Sequence, residues 1–248
     1  MSIPTARTAK ANRILAALPR DAFERLLPDL VLKSMAAREV LQGRNAAIEN
    51  VVFPLSGVAS MIAMGDSGGS IEVATVGCEG MVGLPLLLGG QTTAGEVFIQ
   101  VPGDALLMSA DRFAHHLGEP TLTRALLLYT QALLTQIAQC AACNRYHPIA
   151  GRCARWLLQT HDRVRGDVFP LTHEFLALML GVRRATVTEA AQALQSRGLI
   201  RYIRGVVTII DRSGLESASC DCYRLIQREF ARLTRAMSRS PSRRPAKA

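Results

Sequence analysis

Between Arg44 and Arg112 this 248-residue chain has no lysine or arginine, and between Ala125 and Asn144 it has no charged residue of either sign. The first gap means that an anion buried in that part of the fold would meet no side-chain counter-charge, which argues against a phosphorylated ligand there. The second gap has the length of a membrane span. Its Gln131, Gln136, Gln139 and Asn144, with several threonines, would nevertheless be penalised in hydrocarbon, so a soluble helix is expected and no membrane contact. No cysteine precedes Cys78. The six present (Cys78, Cys140, Cys143, Cys153, Cys220 and Cys222) are too few in a chain this long for a disulfide scaffold and suit a reducing cytoplasm. Cys140-Ala-Ala-Cys143 and Cys220-Asp-Cys222 are weaker than a paired zinc motif. The expectation is that these thiols pack as small hydrophobes, with no metal and no cofactor. No basic and apolar leader opens the sequence, so secretion is not expected. There is no nucleophile–base motif, phosphate loop or paired-acid signature, and no enzyme is expected.

What is present is concentrated in Leu171–Asp211, LTHEFLALMLGVRRATVTEAAQALQSRGLIRYIRGVVTIID. It reads as a helix, a tight turn, a second helix and a β-hairpin. Thr172 is placed to cap the first helix, with Glu174 in its first turn, where the helix dipole favours negative charge. Leu176, Leu180, Val182, Val187 and Ala190 would face inward, with small Ala177 where two helices approach closely. Gly181 falls at the turn. The second helix buries Val187, Ala190, Ala191 and Leu194 and leaves Arg184, Thr188, Glu189 and Gln192 exposed. Gly198 ends it, and Arg201–Ile210 alternates around Gly205 as a small basic wing would. A helix of exposed donors and acceptors beside arginines is what reading base edges in a major groove requires.

Charge supports that reading independently. Residues 1–144 hold 10 Lys/Arg against 12 Asp/Glu, and residues 145–248 hold 19 against 8, which together are the chain's 29 and 20. The whole positive excess lies in the part carrying the two-helix motif, where it would attract phosphates and make binding salt-dependent. Double-stranded DNA is the expected partner.

At this length and with 49% hydrophobic residues the chain can form two domains. From Val31 to Ala110, short apolar runs (Val51–Pro54, Val58–Met64, Ile71–Val76, Val97–Val101 and Ala105–Met108) alternate with Gly, Pro, Ser and Asp turns, as in an antiparallel roll or barrel. A long helix is expected from about Pro120 to Tyr146, broken by His147-Pro148. Within it Leu122, Leu126, Tyr129, Leu133, Gln136, Cys140 and Cys143 follow a four-three alternation. That is a heptad seam, read as the dimer interface through Leu122, Leu126, Tyr129, Leu133, Gln136 and Cys140. The expected organisation is α+β: an antiparallel β-roll with leading helices over 1–118, a dimerisation helix over 119–147, a winged helix-turn-helix over 148–238, and a disordered basic tail over 239–248.

That order, and most specifically LTHEFLALMLGVRRATVTEAAQALQSRGLI, resembles the Crp–Fnr family of bacterial transcription regulators; CNRYHPIAGRCARWLLQTHDRV also resembles the family's hinge and first DNA-domain helix. The resemblance implies a cytoplasmic homodimer on an inverted-repeat operator, acting by recruiting or blocking RNA polymerase. The family often opens its recognition helix with Arg-Glu-Thr-Val and a further Arg. Here the run is Arg184-Ala185-Thr186-Val187-Thr188-Glu189. Arg184 is kept as a base reader and Thr186 fits a phosphate contact. Ala185 and Glu189 depart from the pattern: Ala185 could meet a thymine methyl, and Glu189 could accept from a cytosine amine or simply pair with Arg183 or Arg184. The expected DNA-contacting set is Thr172, Arg183, Arg184, Ala185, Thr186, Thr188, Glu189, Gln192, Arg201 and Arg204, with Arg183, Arg201 and Arg204 on phosphates.

The cyclic-nucleotide pattern fails. Gly83-Leu84-Pro85 and Thr92-Thr93-Ala94 stand where the family's ribose-binding Glu and phosphate-binding Arg belong, so cyclic AMP is not the expected effector, and none is identified. The iron–sulfur members' amino-terminal cysteines are also absent. The alternative to a DNA-binding regulator is a module sensing a neutral ligand or a protein partner, with DNA binding secondary.

Overall fold

The computed structural model describes residues 4–65 and 69–238; the tail over 239–248 lies outside them. Three short helices, α1 (Ala6–Ala9), α2 (Arg13–Ala16) and α3 (Arg20–Leu26), open the chain. Buried Asn12 ties them to the strand region. Its Oδ1 accepts from the Ile14 and Leu15 amides to cap α2, while its Nδ2 donates to the Pro54 and Gly80 carbonyls at 3.0 and 2.9 Å.

Seven strands come next: β1 (Val31–Met35), β2 (Val40–Gln42), β3 (Asn50–Pro54), β4 (Val58–Met64), β5 (Ser70–Val76), β6 (Glu96–Val101) and β7 (Gly103–Ser109). They make two antiparallel sheets ordered β1-β7-β3 and β2-β6-β4-β5, the expected roll. Val51, Phe53, Val76, Ile99 and Leu106 fill its interior. Short α4 (Leu84–Leu87) and α5 (Ala110–His116) close its flanks. The five apolar runs coincide with β3 to β7; β1 and β2 are additional.

The long helix is α6 (Pro120–Tyr146), with Glu119 capping it and Pro120 in its first turn. The expected dimer seam requires correction. Leu122, Leu126, Tyr129, Leu133, Gln136 and Cys140 are all 5% exposed or less within a single chain: the first four pack in the roll's core with a later helix of the same molecule, and Cys140 Sγ accepts from Arg155 Nη1 at 3.3 Å. Gln136 donates to Thr75 Oγ1 of β5 at 3.1 Å rather than to a mate. Side chains with no free area cannot meet a second subunit. The same burial explains why a helix long and apolar enough to cross a membrane occurs here: one of its faces is core. Its open face carries Leu127, Gln131, Leu134, Ala138 and Ala141, again in four-three alternation.

His147-Pro148 turns the chain into α7 (Ile149–His161), β8 (Val168–Pro170), α8 (His173–Leu180), α9 (Arg184–Ser196), β9 (Ile200–Ile203), β10 (Val206–Ile209) and α10 (Arg212–Ala218). The strands form a sheet ordered β8-β10-β9. Trp156, Leu157, Leu176, Leu180, Val187, Leu194, Ile200 and Val207 make this domain's core. It is docked on the roll: Trp156 Nε1 donates to Glu72 Oε1 at 2.8 Å, and Phe175 meets Phe98 edge-on at 6.0 Å.

The last helix, α11 (Cys222–Met237), leaves that domain. Ile226, Phe230, Leu233 and Met237 return to the roll's core beside α6. The span expected for the winged domain, 148–238, therefore yields its final helix to the amino-terminal half.

Candidate nucleic-acid interface

Helix α8 forms because Thr172 Oγ1 accepts from the Phe175 amide at 3.1 Å and Leu176, Ala177, Met179 and Leu180 find a buried face. It ends at Gly181, whose φ of 63° lets the Val182 amide reach back to the Ala177 carbonyl at 3.0 Å. A Cβ added there would lie 2.8 Å from Ile71 Cδ1, the movable tip of a β5 side chain, so the positive φ is the stronger reason for glycine at this turn.

Helix α9 then presents Arg184, Ala185, Glu189 and Gln192 to solvent, with Arg183 just before it. Val187, Ala190, Ala191 and Leu194 are buried beneath, as the periodicity predicts. No side chain caps its start, which leaves first-turn amides open to an anion. Glu189 forms no ion pair with Arg183 or Arg184 among the described residues, so its carboxylate is free to accept. Thr186 is half-buried. Thr188 is more constrained than expected: its hydroxyl donates to the Arg184 carbonyl at 3.1 Å and lies 3.0 Å from His173 Nδ1.

His173 is the residue that motif reading passes over. Its ring also lies 4.3 Å from that of Tyr202 on β9, so one side chain links α8, α9 and the wing. Burial, and then Arg184, hold its pKa below the usual histidine value. Tyr202 donates from its hydroxyl to the Leu171 carbonyl and from its amide to Gln195 Oε1 at 2.7 Å. Tyr202 thereby ties β9 both to the start of α8 and to α9.

Arg201 and Arg204 are exposed on that wing. Arg204 and Gly205 form its two-residue tip, with φ of 47° and 77° between the paired residues Ile203 and Val206. Both positions of such a turn need positive φ, which glycine adopts freely and arginine does not. The strain is located on a cation at the point of the wing.

In the roll, Leu84 opens α4 and is buried with Met81 and Val82 in the core.

Residues 151–218 match the family model for the Crp-like helix-turn-helix domain. The chain carries a Crp-like DNA-binding domain. Its fold is shared with FixK2 from Bradyrhizobium japonicum (TM-score 0.65, 16% identity, covering 77% of this chain and 98% of that one). It is shared also with the c-di-GMP-responsive global regulator CLP of Xanthomonas campestris (0.61, 17%, 77% and 99%) and with TTHA1359, a CRP/FNR-family regulator of Thermus thermophilus (0.61, 21%, 76% and 98%). No curated protein sequence matches the chain. Residues 151–218 are thus a Crp-like helix-turn-helix domain, and the chain shares its overall fold with these regulators.

Proposed function

We propose that the protein is a cytoplasmic homodimer that binds an inverted-repeat operator and regulates transcription by recruiting or obstructing RNA polymerase, as a binding protein rather than an enzyme. The observation that carries the reading is α9, which exposes Arg184, Ala185, Glu189 and Gln192 on a buried apolar base and is flanked by Arg183, Arg201 and Arg204. Arg184 suits guanine, Glu189 a cytosine amine and Ala185 a thymine methyl; Arg183, Arg201, Arg204, Thr172 and Thr186 suit phosphates. Thr188, already hydrogen-bonded, serves the helix more than a base.

Dimerisation is assigned to the open face of α6. Leu127 is 52% and Leu134 61% exposed, and Gln131, Ala138 and Ala141 complete a heptad stripe on the side away from the roll. Leu84 and the Thr92-Thr93 pair offer no charge to a cyclic phosphate, and the roll is assigned no nucleotide.

Selection of bound sequences from random double-stranded DNA tests the proposal. A palindromic consensus is expected, and Arg184→Ala should cost about 1–3 kcal/mol on it while relaxing one base pair per half-site. Recovery of no enriched sequence, or an Arg184→Ala protein that binds the consensus as tightly as wild type, would overturn it.

A further inference from the structure

The chain crosses between its two halves twice, outward at His147-Pro148 and back at Cys220–Cys222, and four potential metal ligands meet where the crossings lie side by side. Cys143 is on the last turn of α6, His147 comes directly after that helix, Cys220 lies within the α10–α11 connection and Cys222 begins α11. The Cys143 and Cys220 sulfurs are 3.4 Å apart, and Cys222 Sγ is 3.3 Å from His147 Nδ1. All four ligand atoms lie within 4.8 Å of one another. A tetrahedral zinc ion, with Zn–S of about 2.3 Å and Zn–N of about 2.0–2.1 Å, places its ligand atoms roughly 3.5–3.8 Å apart. The cluster is already close to that size. It closes around one ion and leaves no room for a multi-iron centre.

A second observation concerns charge. Arg152 and Arg155 of α7 are 8% and 4% exposed, yet their hydrogen bonds go to neutral groups. Arg152 donates to Asn144 Oδ1 at 2.9 Å and the Leu180 carbonyl at 2.5 Å; Arg155 donates to Gln159 Oε1 at 2.7 Å and Cys140 Sγ at 3.3 Å. Both lie within electrostatic range of Cys143 and Cys220; Arg155 also lies within range of the Glu72 carboxyl, whereas Arg152 has only the cysteines. Buried cations require nearby negative charge. Three thiolates and a neutral imidazole around Zn²⁺ carry a net charge of −1 and supply it. Gln139 Nε2, 3.1 Å from Cys222 Sγ, adds the kind of N–H donor that orients a ligand sulfur.

We propose that Cys143, His147, Cys220 and Cys222 bind one zinc ion, and that it staples the end of α6 to the start of α11 at the neck of the DNA-binding domain. Binding converts three thiols to thiolates and releases three protons, with no change in oxidation state.

The test uses the full-length chain under reducing conditions. Protein dialysed against metal-free buffer should retain one zinc per chain by elemental analysis. Metal-free protein titrated with Co²⁺ should develop thiolate-to-cobalt and tetrahedral ligand-field bands that saturate at one ion per chain. Cys222→Ser and His147→Gln should each weaken cobalt binding at least tenfold, whereas Cys78→Ser, outside the cluster, should not. The wild-type spectrum decides the matter even if a variant fails to fold. Absence of stoichiometric zinc or cobalt, an octahedral cobalt spectrum, unchanged binding by Cys222→Ser, or a Cys143–Cys220 disulfide forming in preference to metal binding would each overturn the assignment. None of these readouts depends on DNA.

Discussion

Glu72 is buried on β5, where Oε2 accepts from Ser60 Oγ at 2.7 Å and Oε1 from Trp156 Nε1 at 2.8 Å. Among the described residues no cation bonds to it directly, and burial outweighs these donors and the nearby Arg155 and Arg163 charges to push its carboxyl from 4.5 up to about 7. A carboxyl raised in the folded state stabilises the fold fully below its unfolded value, and that stabilisation is lost as pH rises through the folded value. At about 1.36 kcal/mol for each pH unit, moving from 4.5 to about 7 removes about 3 kcal/mol once both states are ionised. In Glu72→Gln the amide oxygen can still accept from Trp156, and the amide nitrogen can donate to Ser60, whose own proton turns to Gln100 Oε1 at 2.8 Å. The variant should therefore lack this pH dependence. Denaturant unfolding of both proteins from about pH 5 to about pH 8.5 measures it: wild type should lose ground to Glu72→Gln by up to about 3 kcal/mol as pH rises. A stability difference that stays flat over this range would refute the reasoning. Because Trp156 belongs to α7, the same ionisation acts on a bond that docks the DNA-binding domain on the roll.

Three further outcomes are expected from the packing. Leu127→Lys with Leu134→Lys should leave a folded chain that sediments as a monomer, whereas Leu126→Lys should unfold it by burying a charge in the core. Arg204→Asn should stabilise the domain by roughly 1 kcal/mol in thermal melts, since asparagine tolerates the left-handed conformation, while weakening binding to all DNA sequences and lowering the salt slope by about one. Gly181→Ala should cost about 1–2 kcal/mol from its φ of 63° alone. In that background, Ile71→Ala should restore only what the contact adds, as double-mutant unfolding would reveal.

The two-helix motif can be read closely because its determinants are local: Thr172 as cap, Gly181 at the turn, and Val187, Ala190 and Leu194 at helical spacing all refer to neighbours in sequence. Strands β3 to β7 likewise announce themselves as apolar runs between turns. β1 escapes because Val31-Leu-Lys-Ser-Met is mostly half-buried and has no clean alternation, and β2 is only three residues long. The heptad on α6 correctly marks a buried face, but a periodicity of 3.5 does not say what covers it. Here β5 and α11 do, and α11 starts 76 residues beyond α6. The same separation hides the metal ligands, since Cys143 and Cys220 are 77 positions apart. His173 escapes for a different reason. A lone histidine has no pattern, and only the fold places it against Thr188 and Tyr202.

Because α11 returns to α6, the DNA-binding domain is topologically an insertion within the amino-terminal half. A domain hung on one tether can swivel freely; one held by two adjacent strands of chain can only turn about the line joining them. The loop it forms also closes on itself, with Cys222 Sγ 3.3 Å from His147 Nδ1. Residues 148–219 could thus be excised and replaced by a short linker that rejoins α6 to α11, at the cost of leaving buried Glu79 without Arg163 and Glu72 without Trp156. Cutting the chain after α10 would do the opposite, stripping the Ile226, Phe230 and Leu233 side chains from α6 and baring a groove in the amino-terminal half.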